Sequence, residues 1–235
     1  MEKEIIIPTK DSYKIYGTLN SKTKSNTLLI FAHGLSGNQY EHYYFNGAKF
    51  FAKEGFDTFR FDFYARKNNA RPLIKSTIAT HVKDLESVIS NFKNKYQNIV
   101  LIGHSIGALV ILKSNLSNIN KIILWDPTNG MKNIKEKNCS FNKKLDKYVL
   151  HWGLDIIISK EFIEEWKNTN IEKLIKNIEI PCKFIFAGNS SKHEIWKPFL
   201  IKTKHKASIV KGATHCFYEE GTLEKLFQET LSWLK

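Results

Sequence analysis

The 235-residue chain carries 36 Lys and Arg against 23 Asp and Glu, a formal net charge of +13, with 42% hydrophobic and 13% aromatic residues. That apolar content can bury a sizeable core and excludes a disordered chain, and no run approaches the ~18 consecutive apolar residues of a membrane span. The positive excess is dispersed lysine, with arginine only at Arg60, Arg66 and Arg71, so it reads as a solvated, Lys/Asn/Ile-biased surface and not as a nucleic-acid site.

The start, Met1-Glu2-Lys3-Glu4, is acidic and unlike a secretory signal. Cys139, Cys182 and Cys216 are odd in number and widely spaced. They make neither a zinc pattern nor a disulfide framework, and a reducing cytoplasm suits them.

In chain order, residues 4–8 and 13–19 read as a hairpin turning at Lys10-Asp11-Ser12. Residues 27–32 are a short apolar run suited to a strand buried on both faces. The loop His33-Gly34-Leu35-Ser36-Gly37-Asn38 follows, then a helical pattern over 41–53 that stops at Gly55. Residues 56–62 alternate as a strand, and 76–95 have the apolar spacing of a helix. Strands are expected at 99–102, 121–125, 183–187 and 207–210, and helices at 108–116, 194–202 and 223–234. Strand and helix alternate along most of the chain, which predicts an α/β fold with a largely parallel sheet covered by helices.

Residues 128–181 break the alternation. They are rich in Lys and Asn, contain a possible hairpin (148–152, Gly153, 155–158), and turn amphipathic over 162–178. The expectation is one α/β domain over residues 1–235 with a cap inserted at 128–181, whose Trp152, Ile156, Ile157, Phe162 and Trp166 would line a pocket.

Gly103-His104-Ser105-Ile106-Gly107 lies between an expected strand and an expected helix. This is the Gly-x-Ser-x-Gly elbow, in which small residues let strand and helix approach while the serine oxygen points out of the sheet. The same turn aims the N–H of Ile106, at a helix start, toward a reacting carbonyl oxygen, and the N–H of Leu35 after His33-Gly34 can supply the second donor of an oxyanion hole. The His33 side chain itself reads as a group that fixes its loop. His215, in Gly212-Ala213-Thr214-His215 after the last expected strand, can reach back to Ser105 as general base. Cys216 reads as a small packing residue.

These segments, with residues 55–62 and Ile180-Pro181 before a strand, resemble the α/β-hydrolase superfamily, in particular its small esterases, acylglycerol lipases and thioesterases. They run in family order from near the start to near the end. The resemblance implies an α/β-hydrolase fold with a mostly parallel eight-stranded sheet, no metal or organic cofactor, and acyl transfer from a small-molecule ester or thioester to water through an acyl-serine.

The sequence departs from the family twice. After Arg60-Phe61-Asp62 the usual glycines and serine are replaced by Phe63-Tyr64-Ala65-Arg66-Lys67-Asn68-Asn69. The stretch 188–196, where the family keeps its acid, has no aspartate. Asp126, before Pro127 at the end of a strand, and Glu194, in the customary loop, are the two candidates for the acid. An acyltransferase or peptidase on the same residues, or an inactive fold serving as an interaction module, are the competing readings.

Overall fold

The computed structural model describes residues 2–21, 25–131 and 136–235. The strands β1 (Glu2–Pro8) and β2 (Lys14–Asn20) form the opening hairpin. They are followed by β3 (Thr27–Ala32), α1 (His42–Lys53), β4 (Asp57–Phe61), α2 (Ile78–Phe92), β5 (Asn98–His104), α3 (Ile106–Lys113) and β6 (Lys121–Trp125). The intervening segment holds β7 (Cys139–Asn142), β8 (Lys147–His151), β9 (Asp155–Ile158), α4 (Lys160–Lys167) and α5 (Ile171–Lys176). The chain closes with β10 (Cys182–Ala187), α6 (Lys192–Leu200), β11 (Lys206–Val210) and α7 (Thr222–Leu234).

Eight strands make one sheet in the order β1-β2-β4-β3-β5-β6-β10-β11. Only the β1–β2 and β2–β4 pairs are antiparallel, so the expected mostly parallel, eight-stranded α/β sheet is what forms. The period-two alternation of each strand divides the core in two. Leu28, Ile30 and Ala32 of β3 face the layer that contains α2 and α3, while Leu29 and Phe31 face α1 and α7. Both faces being covered, β3 and β5 read as near-continuous apolar runs. Helix α3 is buried on every side from Ile106 to Leu112, which is why its sequence has no polar stripe.

Connections leave β3 and β5 in opposite directions, through α1 to β4 on one side and through α3 to β6 on the other. Adjacent strand ends with diverging loops open a crevice at the carboxyl edge of the sheet, and the loop after β3 and the turn after β5 both border it.

Between β6 and β10 the chain forms a second, three-stranded sheet in the order β7-β8-β9, followed along the chain by α4 and α5. The hairpin expected around Gly153 is β8–β9, paired antiparallel. Strand β7 escapes the sequence reading because three of its four residues are exposed and leave no alternation to detect. The amphipathic stretch expected as one unit is two helices, divided where Asn168 ends α4 and the Asn170 side chain caps α5. This segment is anchored by Ser159, whose hydroxyl donates to the Ser76 carbonyl at 2.9 Å and accepts from the Phe162 N–H. Trp166 Nε1 donates to Thr128 Oγ1 at 3.1 Å.

Candidate active site

Ser105 sits between β5 and α3 at φ 54°, ψ −116°, a conformation L-residues rarely adopt. Its flanking glycines are required by space. A Cβ on Gly107 would lie 2.0 Å from the Ala32 carbonyl oxygen of β3, and one on Gly103 would lie 2.7 Å from the Ala108 nitrogen of α3. The strand and helix therefore touch backbone to backbone. The strained serine is held by its own N–H donating to the Trp125 carbonyl (3.1 Å) and by the Thr128 N–H donating to its carbonyl (3.3 Å). Ser105 occupies the N-cap position of α3, but its hydroxyl makes no cap bond.

That hydroxyl lies 3.0 Å from His215 Nε2, and His215 Nδ1 lies 2.5 Å from Asp126 Oδ2. The structure thus brings Ser105, His215 and Asp126 into one chain of contacts. Glu194 stands apart: its carboxylate is 71% exposed and bonds His193 and Lys197. Two residues along a helix turn a side chain by about 200°, so with Lys192 of the same helix facing inward, Glu194 faces solvent. The carboxylate that meets His215 is thus Asp126, just after β6, and none comes from residues 188–196.

Asp126 is completely buried. Its Oδ1 accepts the Ala187 N–H at 3.2 Å, and its own N–H donates to the Ile185 carbonyl at 2.8 Å, which ties the end of β6 to β10. Burial by itself would raise its pKa. The hydrogen bond from His215 and the charge of Lys192 outweigh that and bring it to about 2, so Asp126 is a carboxylate. The loop after β11 is pinned to the loop after β10 by Asn189, whose N–H and Nδ2 donate to the Ala213 and Gly212 carbonyls. Thr214 is clamped by Glu219. His104 packs its ring 4.4 Å from that of His215, and its Nε2–H donates to the His215 carbonyl at 2.8 Å. Burial holds His104 well below the ordinary histidine range, so it acts as a neutral strut under the loop.

On the other side of Ser105, His33 is fully buried and accepts the Phe63 N–H on Nε2 at 2.9 Å. Its Nδ1–H is thereby left to donate to the Gly34 carbonyl at 2.7 Å. The side chain fixes the loop, and the neighbouring Gly34 and Leu35 line the cavity above Ser105. Ile106 opens α3, so its N–H has no partner within the helix.

The cavity has a volume of about 1060 Å³. Ser105, His215, Gly34, Leu35 and Tyr43 line it, and Trp152, Leu154, Ile156, Trp166, Ile195 and Phe199 supply much of its apolar lining. Of the five cap residues expected there, Trp152, Ile156 and Trp166 line it. Ile157 and Phe162 do not, and Phe162 is instead buried in the core, its ring 5.7 Å from that of His81. The strand period explains Ile157, since it faces away from its neighbour Ile156. Cys216 borders the cavity, and burial pushes its thiol up, which keeps it protonated.

One close neighbour of Asp126 and His215 was not read from the sequence. Lys192, the first residue of α6, places Nζ 2.9 Å from Asp126 Oδ2 and 2.6 Å from His215 Nδ1. Nothing local distinguishes it from the other lysines of a lysine-rich chain. Its position depends on the start of α6 meeting the ends of β6 and β11.

A family model described as the alpha/beta hydrolase family matches residues 29–166, and the chain belongs to that family. The matched segment contains Ser105 and Asp126, while Lys192 and His215 lie beyond it. Among solved structures, the chain is similar to Est1E from Butyrivibrio proteoclasticus with bound ferulic acid (17% identity, TM-score 0.82, covering 98% of this chain and 97% of that one). It is also similar to the alpha/beta hydrolase GrgF from Penicillium sp. sh18 (14%, 0.80, 100% and 98%) and to the Pyrococcus furiosus esterase Pf2001 (17%, 0.73, 100% and 90%). At these identities the likeness is one of fold. No curated protein sequence matches the chain. Among the described residues, no helix is long and apolar enough to cross a membrane.

Proposed function

We propose that this protein is a serine hydrolase that cleaves small-molecule acyl esters or thioesters through an acyl-serine. The observation that carries the reading is the run of contacts from Ser105 Oγ to His215 Nε2 (3.0 Å) and from His215 Nδ1 to Asp126 Oδ2 (2.5 Å), opening on an apolar-walled cavity.

The chemistry follows from the positions. Ser105 Oγ attacks the acyl carbonyl as its proton passes to His215 Nε2. Asp126 holds the Nδ1–H, which keeps Nε2 as the accepting nitrogen. The N–H groups of Leu35 and Ile106 stabilise the oxyanion of the tetrahedral intermediate. Collapse breaks the bond to the alcohol or thiol, which leaves with the proton from His215. Water then repeats the sequence on the acyl-serine: His215 takes its proton, the new tetrahedral species collapses, and Ser105 recovers its hydrogen. The apolar wall of Trp152, Leu154, Ile156, Ile195 and Phe199 suits the acyl chain. The test is hydrolysis of p-nitrophenyl acyl esters of increasing length. Activity that peaks at one chain length, and whose peak moves on Trp152→Ala or Ile156→Ala, supports the reading. Absence of turnover on every ester and thioester tried contradicts it.

A further inference from the structure

A serine–histidine–carboxylate chain needs one negative charge beside the imidazole, and here a positive one lies against the same atoms. Lys192 Nζ is within 2.9 Å of Asp126 Oδ2, 3.3 Å of the Asp126 carbonyl oxygen, and 2.6 and 3.2 Å of the two ring nitrogens of His215. The lysine side chain is only 19% exposed and Asp126 is fully buried. A cation withdrawn this far from water needs its counter-charge, and Asp126 supplies it.

We infer that Lys192 is a positioning residue of this site: its ammonium shares the Asp126 carboxylate with His215 and holds the imidazole neutral, ready to accept a proton, under acidic conditions. The charge balance gives the reason. With Asp126 alone, protonating His215 would create a favourable ion pair. With Lys192 in place the carboxylate is already neutralised, and an imidazolium would face an ammonium at hydrogen-bond distance.

The other groups around the junction do not reverse that balance. His104, from the end of β5, is kept neutral by burial, and Cys216, beside His215, stays a thiol for the same reason. Glu41, before α1, borders the cavity and bears on Cys216. On α6 itself, His193 and Glu194 bond to one another. Glu219 is engaged with Thr214. In agreement with the geometry, burial lowers the His215 pKa, the hydrogen bond to Asp126 opposes that, and the Lys192 charge lowers it further.

In its catalytic consequence the inference rests on the serine-hydrolase reading, but its direct readout does not. The experiment is a titration of the His215 imidazole by ¹⁵N NMR in the wild type and in Lys192→Met, Lys192→Gln and Lys192→Arg. The wild-type midpoint is expected below the ordinary ~6.5 of histidine. It should rise by about one pH unit in the Met and Gln variants, the scale of a neighbouring charge, and stay low in Arg. The acid limb of kcat/KM on p-nitrophenyl butyrate should move by the same amount. A lysine that merely packs the start of α6 would leave the midpoint where it was, and that result in a folded Met or Gln variant overturns the inference. If neither neutral variant folds, a wild-type midpoint at or above ~6.5 overturns it instead. Loss of the hydrolase reading would appear separately, as a wild type without esterase activity whose imidazole still titrates low.

Discussion

Two Ser–His–Asp chains lie among the described residues, and their bond lengths barely differ. At the edge of the large sheet, Ser105 Oγ to His215 Nε2 and His215 Nδ1 to Asp126 Oδ2 are 3.0 and 2.5 Å. On the small sheet, Ser140 Oγ to His151 Nε2 and His151 Nδ1 to Asp155 Oδ1 are 2.8 and 2.7 Å. The surroundings separate them. Asp126 is completely buried and takes three donors, whereas Asp155 is 70% exposed at the start of β9. Ser105 stands in a strained turn at the start of a helix and borders a cavity. Ser140 lies within β7, an exposed residue paired with Val149 in the ladder. A donor–acceptor chain can arise wherever three such residues meet. Preorganised donors and exclusion of water give it catalytic force.

The comparison can be broken most sharply at the serines. Ser105→Ala should reduce ester turnover by on the order of 10⁶-fold, while Ser140→Ala should leave kcat and KM at wild-type values. Steady-state kinetics on p-nitrophenyl butyrate read both. Equal losses would mean that the surroundings count for nothing. At the acids, Asp126→Asn should cost about 10⁴-fold in kcat by removing the group that fixes the imidazole tautomer. Asp155→Asn should change nothing measurable, and Glu194→Gln should behave like Asp155→Asn.

A smaller effect sharpens the contrast in backbone support. Gly107→Ala drives a Cβ against the Ala32 carbonyl and should destabilise the fold by about 1–3 kcal/mol, with a loss of kcat in whatever remains folded. Gly153, between β8 and β9, has open space around it and needs glycine only for its φ of +81°. Gly153→Ala should lower the urea midpoint slightly and spare catalysis. An unchanged urea midpoint in Gly107→Ala would show that β3 and α3 do not meet as closely as described.

The smallest effect is on stability against pH. His33, His81 and His104 are buried with their pKa values lowered, by burial first in each case. In the unfolded chain they titrate near ~6.5. The unfolded state therefore binds more protons below that pH, and the stability these neutral rings contribute is full above ~6.5 and lost as the pH falls. Urea midpoints should decline between pH 7.5 and 5. His81→Phe should reduce that slope. His81 is the better probe because neither of its ring nitrogens has a hydrogen-bond partner.

The same contrast marks what was legible in the sequence. The inner strands β3, β5, β6 and β10 announce themselves because both their faces are buried, and the elbow because its glycines are demanded by contact between neighbouring backbones. The choice between Asp126 and Glu194 was open in the sequence because it depends on which way the first turn of α6 faces. Lys192 was invisible for the same reason. The Ser140–His151–Asp155 chain could not be read either, since it needs β7, and an exposed four-residue strand leaves no periodic trace.

The account is tested most directly by exposing the wild-type protein to a fluorophosphonate, which reacts with an activated serine, and mapping the adduct by peptide mass spectrometry. The account predicts a single adduct on Ser105, formed faster as the pH rises through the His215 midpoint and absent in Ser105→Ala. An adduct on Ser140, or labelling that is undiminished in Ser105→Ala, would contradict it.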